Sequence, residues 1–475
     1  MISVDTLPDD VLVEIFHHCV NDDDVQDIMK GRKSWQSLVH VCRRWRSIIF
    51  ASPRHLKLRL VCTEGTPARD MLDIWPALPL VIRNYYSNQL GLTDNVIAAL
   101  ERRDRVCRIN LDRLSSSDME MFLAAMQRPF PELTHLLLRS FDETVSVVPD
   151  SFLGGSAPRL RFLMLSRIPC PGLPKLLLSA THLTHLHLLN IPHSGYFSPD
   201  MIVTALSALT SLENLSLGFQ SPRSCPDQAS RRPPPSTRSV LPILEYFRFT
   251  GVTEYLEDLV ARIDAPRLNT LEIAFFNDIA FDTPQFIQFI LRTAMSRALE
   301  KARIILQNPG ASLHFSPQTS DDRKINVKIQ VLCQGLEWQV SSLDQVCTSC
   351  LPPLAMVEDL YIYVHSNWPP NWKDEIENGQ WLEPLHPFTA VKNLYLSEEM
   401  ALPIGSALQE LTDGSTTEVL PNLQNIFLEG LESSGPVQEG IAKFVAVRQV
   451  ASRPIAVSGW ANSNRDKVDP RFIFR

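Results

Sequence analysis

The sequence predicts an α/β fold in which a small helical module precedes a long stack of short parallel strands with helical returns. Two observations predict it. Apolar residues recur on a helical period through the first fifty residues. Beyond them, a short motif with apolar residues at i, i+3 and i+5 returns many times. The chain has 475 residues, 44% of them apolar, which is enough for both parts.

The first predicted helix lies in "LPDDVLVEIFHHC". Pro8 suits the first turn, and Asp9 and Asp10 suit the electropositive N-terminal end of a helix. An apolar stripe follows at Val11, Leu12, Ile15, Phe16 and Cys19. A second short helix, "SWQSLVH", adds further apolar residues to the same small core.

The third predicted helix is "VCRRWRSIIF", residues 41–50. A helical period places the apolar residues Val41, Trp45, Ile48 and Ile49 on one side and the arginines Arg43, Arg44 and Arg46 largely on the other. The basic face is one short cluster in a chain with a formal net charge of -8. We therefore expect a solvated face and no nucleic-acid partner.

A series of elements in the first 45 residues resembles the F-box motif. In order along the chain they are Leu7-Pro8, the acidic pair, Ile15-Phe16 and "VCRRW". The resemblance implies a three-helix module, residues 1–54, that docks on the Skp-family adaptor, and through it on a cullin, of an SCF-type ubiquitin ligase. The connection "VNDDDVQDIMKGRK" is longer than the family needs. The stretch from "SWQSLVH" to "HLKLRLVC" is similar to F-box proteins common in mushroom-forming (basidiomycete) fungi. The adaptor-binding residues that the resemblance implies are Leu7, Pro8, Leu12, Ile15, Phe16, Val41, Cys42 and Trp45.

The repeated motif reads, for example, "LTHLLL" at Leu133, "LRFLML" at Leu160 and "LTHLHL" at Leu183. It returns at Leu212, Leu244, Leu268, Val357, Val391 and Leu423, with weaker candidates at Val106 and Leu299. Steps of 27, 23 and 29 residues separate 133, 160, 183 and 212, which is typical of leucine-rich repeats. The repeats resemble the irregular ones of F-box leucine-rich proteins. The predicted fold class is therefore α/β, with a three-helix F-box followed by an irregular leucine-rich-repeat solenoid.

The repeat domain is predicted over 55–460, followed by a flexible tail at 461–475. Residues 221–239 carry five prolines and four arginines without an apolar period, which predicts a disordered loop. "INVKIQVLC" and "LEWQV" are interpreted as strands, and "PIAVSGW" as the last strand.

Residues that alternate with the inward leucines of each strand should project onto the concave face of the solenoid, because side chains in a strand alternate with period two. One predicted row includes His187, Arg248, Tyr361, Tyr395 and Phe427. The residues predicted to bind a protein substrate are His185, His187, Tyr246, Arg248, Tyr361, Tyr363, Tyr395 and Phe427. The late aromatic residues form either an exposed patch or a surface covered by a neighbouring loop, and the sequence favours neither.

Alternative chemistry has weak support. His185 and His187, with His135 on another strand, have a geometry that a metal would accept, but no cysteine or carboxylate lies beside them. "CTSC" at Cys347 and Cys350 is one CxxC without a second pair, so packed thiols are favoured over zinc or redox chemistry. The chain has no Walker loop, GxGxxG, HExxH or GxSxG motif. We expect no enzyme activity and no cofactor.

The N-terminus lacks the basic flank and apolar region of a signal peptide, and no apolar run reaches spanning length, so an intracellular chain, cytoplasmic or nuclear, without a membrane partner is expected. Two functions remain. The first is a substrate receptor of an SCF-type ligase. The alternative is a leucine-rich scaffold whose F-box-like helices only cap the solenoid. Exposure of Leu7, Pro8, Ile15 and Phe16 favours docking, and burial against residues 56–82 favours a cap.

Overall fold

A computed structural model describes most of the chain. The described residues are 6–20, 34–63, 65, 67–84, 93–142, 147–223, 237–276, 283–293, 295, 300–307, 310–317, 326–333, 335–349, 352–365, 378–410, 419–429 and 436–460. The chain divides into two compact units, Met1–Leu183 and Thr184–Arg475. Most of the predicted loop at 221–239, the predicted tail at 461–475 and Cys350 lie outside the described residues.

The first unit begins with three helices, as the sequence predicts. They are α1 (Asp9–Val20), α2 (Ser34–Val39) and α3 (Arg43–Ala51). One face of each helix points into a shared core, whose buried members include Leu12, Phe16, Trp35, Val39 and Ile49. The Phe16 and Trp45 rings lie 4.8 Å apart and join α1 to α3.

The predicted inward position of Val41 on the third helix is wrong. Helix α3 begins at Arg43, and Cys42 is its N-cap, with an extended backbone and a sulfur that accepts a hydrogen bond from the Trp45 amide at 3.4 Å. Because Val41 precedes the cap, it does not follow the helical period. Its side chain is 58% exposed.

The remainder of the first unit consists of parallel strands with helical returns. The strands pair in chain order: β1 (Leu60–Cys62), β2 (Leu80–Arg83), β3 (Val106–Leu114), β4 (His135–Ser140) and β5 (Phe162–Ser166). The returns include α4 (Ala68–Ile74), α5 (Thr93–Leu100), α6 (Ser116–Ala125) and α7 (Leu173–Leu177). The leucines of the motif, such as Leu136 and Leu163, are fully buried between strands and returns. The predicted fold class is confirmed.

The second unit continues the same strand and return pattern. Its strands are β6 (His185–Ile191), β7 (Asn214–Phe219), β8 (Ser239–Val240), β9 (Tyr246–Gly251), β10 (Ile263–Asp264), β11 (Thr270–Phe276), β12 (Lys301–Leu306), β13 (Ala311–Ser316), β14 (Asn326–Leu332), β15 (Asp359–Val364), β16 (Asn393–Leu396), β17 (Asn425–Glu429) and β18 (Ala456–Trp460). Its helices are α8 (Pro199–Leu206), α9 (Thr253–Val260), α10 (Pro284–Arg292), α11 (Leu336–Ser349), α12 (Glu398–Glu410) and α13 (Pro436–Val450). Strands β8 and β10 form a separate two-stranded sheet.

The main sheet of the second unit is parallel except at β13. The strand order is β6-β7-β9-β11-β14-β13-β12-β15-β16-β17-β18, and β13 runs antiparallel to both of its neighbours. Gly310 lies in the turn before β13 with φ +102, where an added Cβ would collide with the Val331 carbonyl. The hairpin therefore depends on a glycine at this position.

Two interpretations of segments in the second unit have different outcomes. "PIAVSGW" does form the last strand, β18, which pairs with β17. The interpretation of "LEWQV" as a strand is wrong, because this segment begins α11. Its buried residues include Leu336, Val340, Leu343 and Cys347, a helical spacing that becomes visible only over a longer window.

Within the described part of the chain, no helix combines the length and apolar character that crossing a membrane requires.

Candidate protein-binding surfaces

The first candidate surface lies on the N-terminal module. Val11 and Ile15 are 39% and 41% exposed and lie four residues apart on α1, so they share one face. Pro8 is also exposed, and Leu7 is half-buried. We call Pro8, Val11, Ile15 and Val41 the outer apolar residues. Helix α1 thus carries apolar side chains both inward and outward.

The other predicted adaptor-binding residues lie deeper. Leu12 and Phe16 are fully buried in the module core. Cys42 and Trp45 are half-buried, the first as the cap of α3 and the second against Phe16. These four residues contribute mainly to the packing of the three helices and less to the surface of the module.

The arginines of the third helix have structural contacts that the sequence did not predict. Arg44 donates to the Leu7 carbonyl at 2.6 Å and forms an ion pair with Asp9 at 2.6 Å. Arg46 donates to the Val39 carbonyl at 3.0 Å. Arg44 thereby ties the start of α1 to α3.

An aromatic cluster joins the module to the segment that follows. The Trp35 ring lies 5.2 Å from that of Trp75, and the Phe50 ring lies 6.1 Å from Trp75. The Trp35 indole N–H also donates to the Arg59 carbonyl at 2.9 Å. Aromatic contacts of this kind stabilise packing, so the module is packed against the first repeat. The same module carries the outer apolar residues.

The second candidate surface is the open strand face of the second unit, which carries the residues that alternate with the buried leucines. Strand register places one residue from each strand in a continuous row. The row is His187, Ser216, Arg248, Glu272, Lys328, His314, Arg303, Tyr361, Tyr395 and Phe427. The sequence predicted the two ends of this row but missed Lys328, His314 and Arg303.

Three rings of the row form a stack. Tyr361 and Tyr395 lie 4.2 Å apart, and Tyr395 and Phe427 lie 4.5 Å apart, with interplanar angles of 8° in both pairs. Trp460 contacts Tyr395 edge-on at 5.4 Å and donates to the Leu396 carbonyl. All four side chains are half-buried, so the surface is partly covered by the last strand. Tyr363 is also half-buried and lies outside this stack, opposite Ile305 in the register.

A polar ladder runs beside the stack on the same three strands, two residues before each ring. Asn393 donates to the carboxylate of Asp359 at 2.7 Å, and Asn425 donates to the side-chain oxygen of Asn393 at 2.7 Å. Asp359 is buried, so these amides satisfy a carboxylate that would otherwise be costly to desolvate. The ladder fixes the register that stacks the rings.

The middle of the row is rich in cations. Arg248 lies 3.9 Å from the Glu272 carboxylate, and the Arg303 guanidinium lies 5.7 Å from the centre of the Tyr361 ring. Burial lowers the pKa of Lys328, a shift that the Glu272 charge opposes and Arg248 reinforces. Arg248, Glu272, Lys328 and Gln330 line a shallow depression.

Tyr246, which was predicted to bind substrate, flanks the cationic region. Burial and the Glu272 charge raise the pKa of its phenol, and the Arg248 charge opposes that shift.

The histidines at the start of this unit are engaged with neighbouring polar groups. His185 contacts Thr184 at 2.9 Å and Asn214 at 3.1 Å, and His187 contacts Ser216 at 2.9 Å. Burial, with the neighbouring His185 and Arg248 charges, lowers the pKa of His187 to about 4. In the described ranges, no group of three His, Cys, Asp or Glu side chains is placed to hold a metal ion.

Comparison with known proteins identifies the N-terminal module. Residues 4–63 match the F-box-like family, which confirms the resemblance predicted from the sequence. No curated protein matches the chain. Among solved structures, the leucine-rich repeat-containing protein LegL7 from Legionella pneumophila is similar at 13% identity, over 82% of this chain and 97% of that chain, with a TM-score of 0.26. The family match and the repeat fold together indicate a protein-interaction adaptor.

Proposed function

We propose that this chain is the substrate-recognition subunit of an SCF-type cullin-RING ubiquitin ligase. The observation that carries the proposal is the exposure of the outer apolar residues on a module that matches the F-box-like family. F-box modules generally bind Skp-family adaptors, and the adaptor would link the chain to a cullin.

The outer apolar residues have the properties of a docking surface. Val11 and Ile15 stay exposed although Leu12 and Phe16, on the same helix, are fully buried. Clustered apolar side chains at a surface mark interaction sites, because burial in a partner removes them from water. Each such side chain contributes on the order of 1 to 2 kcal/mol when it is buried.

Capping and docking are compatible in this module. Trp35 and Phe50 contact Trp75 and anchor the module to the repeats, which is what a cap does. The outer apolar residues are not needed for that contact. The proposal therefore assigns the inner face to the repeats and the outer face to the adaptor.

The open strand face of the second unit is the proposed site for a protein substrate. Its stacked rings and charged side chains combine the aromatic and arginine residues that dominate protein interfaces. The proposal gives this chain a binding role, with no cofactor and no catalytic residues of its own, because the partner ligase supplies the chemistry.

The assembly is tested by size-exclusion chromatography of the full chain with a Skp-family adaptor and a cullin. We expect all three to elute together, and the cullin to join only when the adaptor is present. If the chain elutes alone in every mixture, the alternative of a leucine-rich scaffold without a ligase replaces the proposal.

A further inference from the structure

Cations recur on alternate strands across the middle of the open strand face. Arg248 on β9, Lys328 on β14 and Arg303 on β12 belong to the same row, and Glu272 and His314 lie between them. Adjacent strands are about 4.8 Å apart, so successive cations are about 10 Å apart. The reversed strand β13 creates this arrangement. It pairs with both β12 and β14, so these three strands lie side by side between β11 and β15.

The charge of this region is opposite to that of the chain. The row contains three cations and one carboxylate among its described residues, whereas the whole chain has a net charge of -8. Arg303, Lys328 and Arg248 are all half-buried. Partial removal from water strengthens the attraction between such cations and an incoming anion.

The aromatic stack begins directly beside the last cation. Arg303 is opposite Tyr361 in the register, and Tyr395 is one strand further. The centre of the stack is therefore about 10 Å beyond Arg303, the same step that separates the cations. Face-to-face contact between the rings leaves their edges, rather than their faces, toward a ligand, and Trp460 packs against the edges of Tyr361 and Tyr395 and extends this apolar surface.

We infer that the open strand face of the second unit binds an extended acidic peptide that crosses the strands, with carboxylates about three residues apart and an apolar side chain on the ring edges. A peptide in the extended polyproline II conformation advances about 3.1 Å per residue with about three residues per turn, so every third side chain faces the strands at a step of about 10 Å. The inference rests on the proposed function only in taking the occupant to be a protein substrate.

The spacing favours this occupant over other anions. A single phosphate group is too small to reach three cations spread over about 20 Å. A single-stranded nucleic acid would use ring faces for base stacking, and here the faces of Tyr395 are occupied by Tyr361 and Phe427. Carboxylates distributed along one peptide match both the cations and the rings.

The test measures fluorescence anisotropy of the full chain with a labelled peptide of the pattern Glu-x-x-Glu-x-x-Glu-x-x-Phe, where x is Ser or Gly. We expect binding that weakens with added salt, as charge pairing requires. A peptide of the same composition with adjacent glutamates should bind roughly tenfold more weakly. Equal binding of the two peptides, or tighter binding of an oligothymidine, would overturn the inference.

Substitutions in the row distinguish recognition of charge from nonspecific peptide binding. Lys328→Gln and Arg303→Gln should each weaken peptide binding by roughly tenfold, whereas Glu272→Gln should strengthen it several-fold, because it removes the one carboxylate. Arg267→Gln, at an exposed cation outside the row, is the matched control and should change nothing. Equal effects of all four substitutions would contradict the inference.

Two measurements keep this test independent of folding and of the proposed function. Each variant is melted by circular dichroism, and if Lys328→Gln loses its cooperative transition, Arg303→Gln and Glu272→Gln decide. Adaptor binding is measured on the same samples. If wild type binds the adaptor but not the peptide, only the acidic-peptide site is refuted, and if wild type binds the peptide but not the adaptor, only the ligase assignment is refuted.

Discussion

Adjacent residues on one strand have opposite roles at Leu394 and Tyr395. Leu394 is fully buried between the strands and the returns, and Tyr395 lies on the open strand face within the ring stack. This alternation is the property that allows a repeat sequence to be divided into core and surface positions. It is regular in β9, β14, β16 and β17 of the second unit.

Truncation of Leu394 to alanine should lower the free energy of unfolding by roughly 2 to 5 kcal/mol, because it leaves a cavity in the core. Tyr395→Ala should cost less, about 1 to 3 kcal/mol, through the loss of its ring contacts with Tyr361, Phe427 and Trp460. Urea denaturation of both variants checks the comparison. A smaller loss for Leu394→Ala than for Tyr395→Ala would show that the assigned register is incorrect.

His187 should make the second unit sensitive to acid. Its pKa is lowered from 6.5 to about 4 in the folded chain by burial and by the charges of His185 and Arg248. Below pH 6.5 the unfolded chain binds a proton that the folded chain does not, so stability is complete above 6.5 and falls as the pH decreases toward 4.

Replacement of His187 with Gln should therefore remove roughly 2 kcal/mol of the stability loss between about pH 7.5 and pH 5. Unfolding free energies at both pH values measure this difference. His314, whose pKa burial also lowers, is retained in both proteins and does not affect the comparison. His182→Gln, at an exposed position, is the control, and a wild-type-like loss in His187→Gln would argue against the buried imidazole.

The hairpin β12–β13 and the strand β14 are the elements that distinguish this sheet from a regular repeat array. They place Arg303, His314 and Lys328 in the row at the strand face. The turn before β13 needs Gly310, since no other residue adopts its φ of +102 without strain, and an added Cβ has no room there.

Gly310→Ala should destabilise the second unit by at least about 1 to 3 kcal/mol and weaken binding of the acidic peptide. Gly379→Ala is the matched control, because nothing lies within 4 Å of an added Cβ at that position. Thermal melts and anisotropy measure both effects. Equal melting temperatures for the two variants would show that the turn tolerates a side chain.

The sequence predicted the parallel strands better than the elements that interrupt them. The leucine motif identified β15, β16 and β17 and placed Tyr361, Tyr395 and Phe427 in register, because every repeat follows the same spacing. Arg303 belongs to a strand that the motif only weakly suggested, and Lys328 belongs to a predicted strand of unknown register. The pairing of β13 with both neighbours depends on contacts that no local pattern encodes.

The contribution of Trp460 was also missed. The sequence placed it in the last strand, but its contact with the ring stack depends on how that strand pairs with β17. In the N-terminal module the helical period placed Val11, Leu12, Ile15, Phe16 and Cys19 on one apolar stripe, and of these Leu12 and Phe16 are buried. It did not show which apolar positions of α1 remain exposed, since that depends on the packing of α2 and α3.

At the scale of the whole molecule, the chain carries two surfaces with different chemistry. One is apolar and lies on the module that matches the F-box-like family, and the other is cationic and aromatic and lies on the strands of the second unit. The first surface lies in the unit Met1–Leu183 and the second in the unit Thr184–Arg475. A change at one surface should therefore leave binding at the other unchanged.

The assignment to a ligase depends on the outer apolar residues. Ile15→Asp places a charge where an adaptor would bury an apolar side chain, and because Ile15 is 41% exposed the fold should be preserved. Met121→Asp, at a residue 45% exposed on α6 in the same unit, is the matched control.

Isothermal titration calorimetry of a Skp-family adaptor into wild type, Ile15→Asp and Met121→Asp tests whether the outer apolar residues bind the adaptor. We predict tight binding to wild type and Met121→Asp, and a loss of affinity of at least about a hundredfold for Ile15→Asp with an unchanged melting temperature. Equal affinity of the adaptor for wild type and Ile15→Asp would contradict the docking surface.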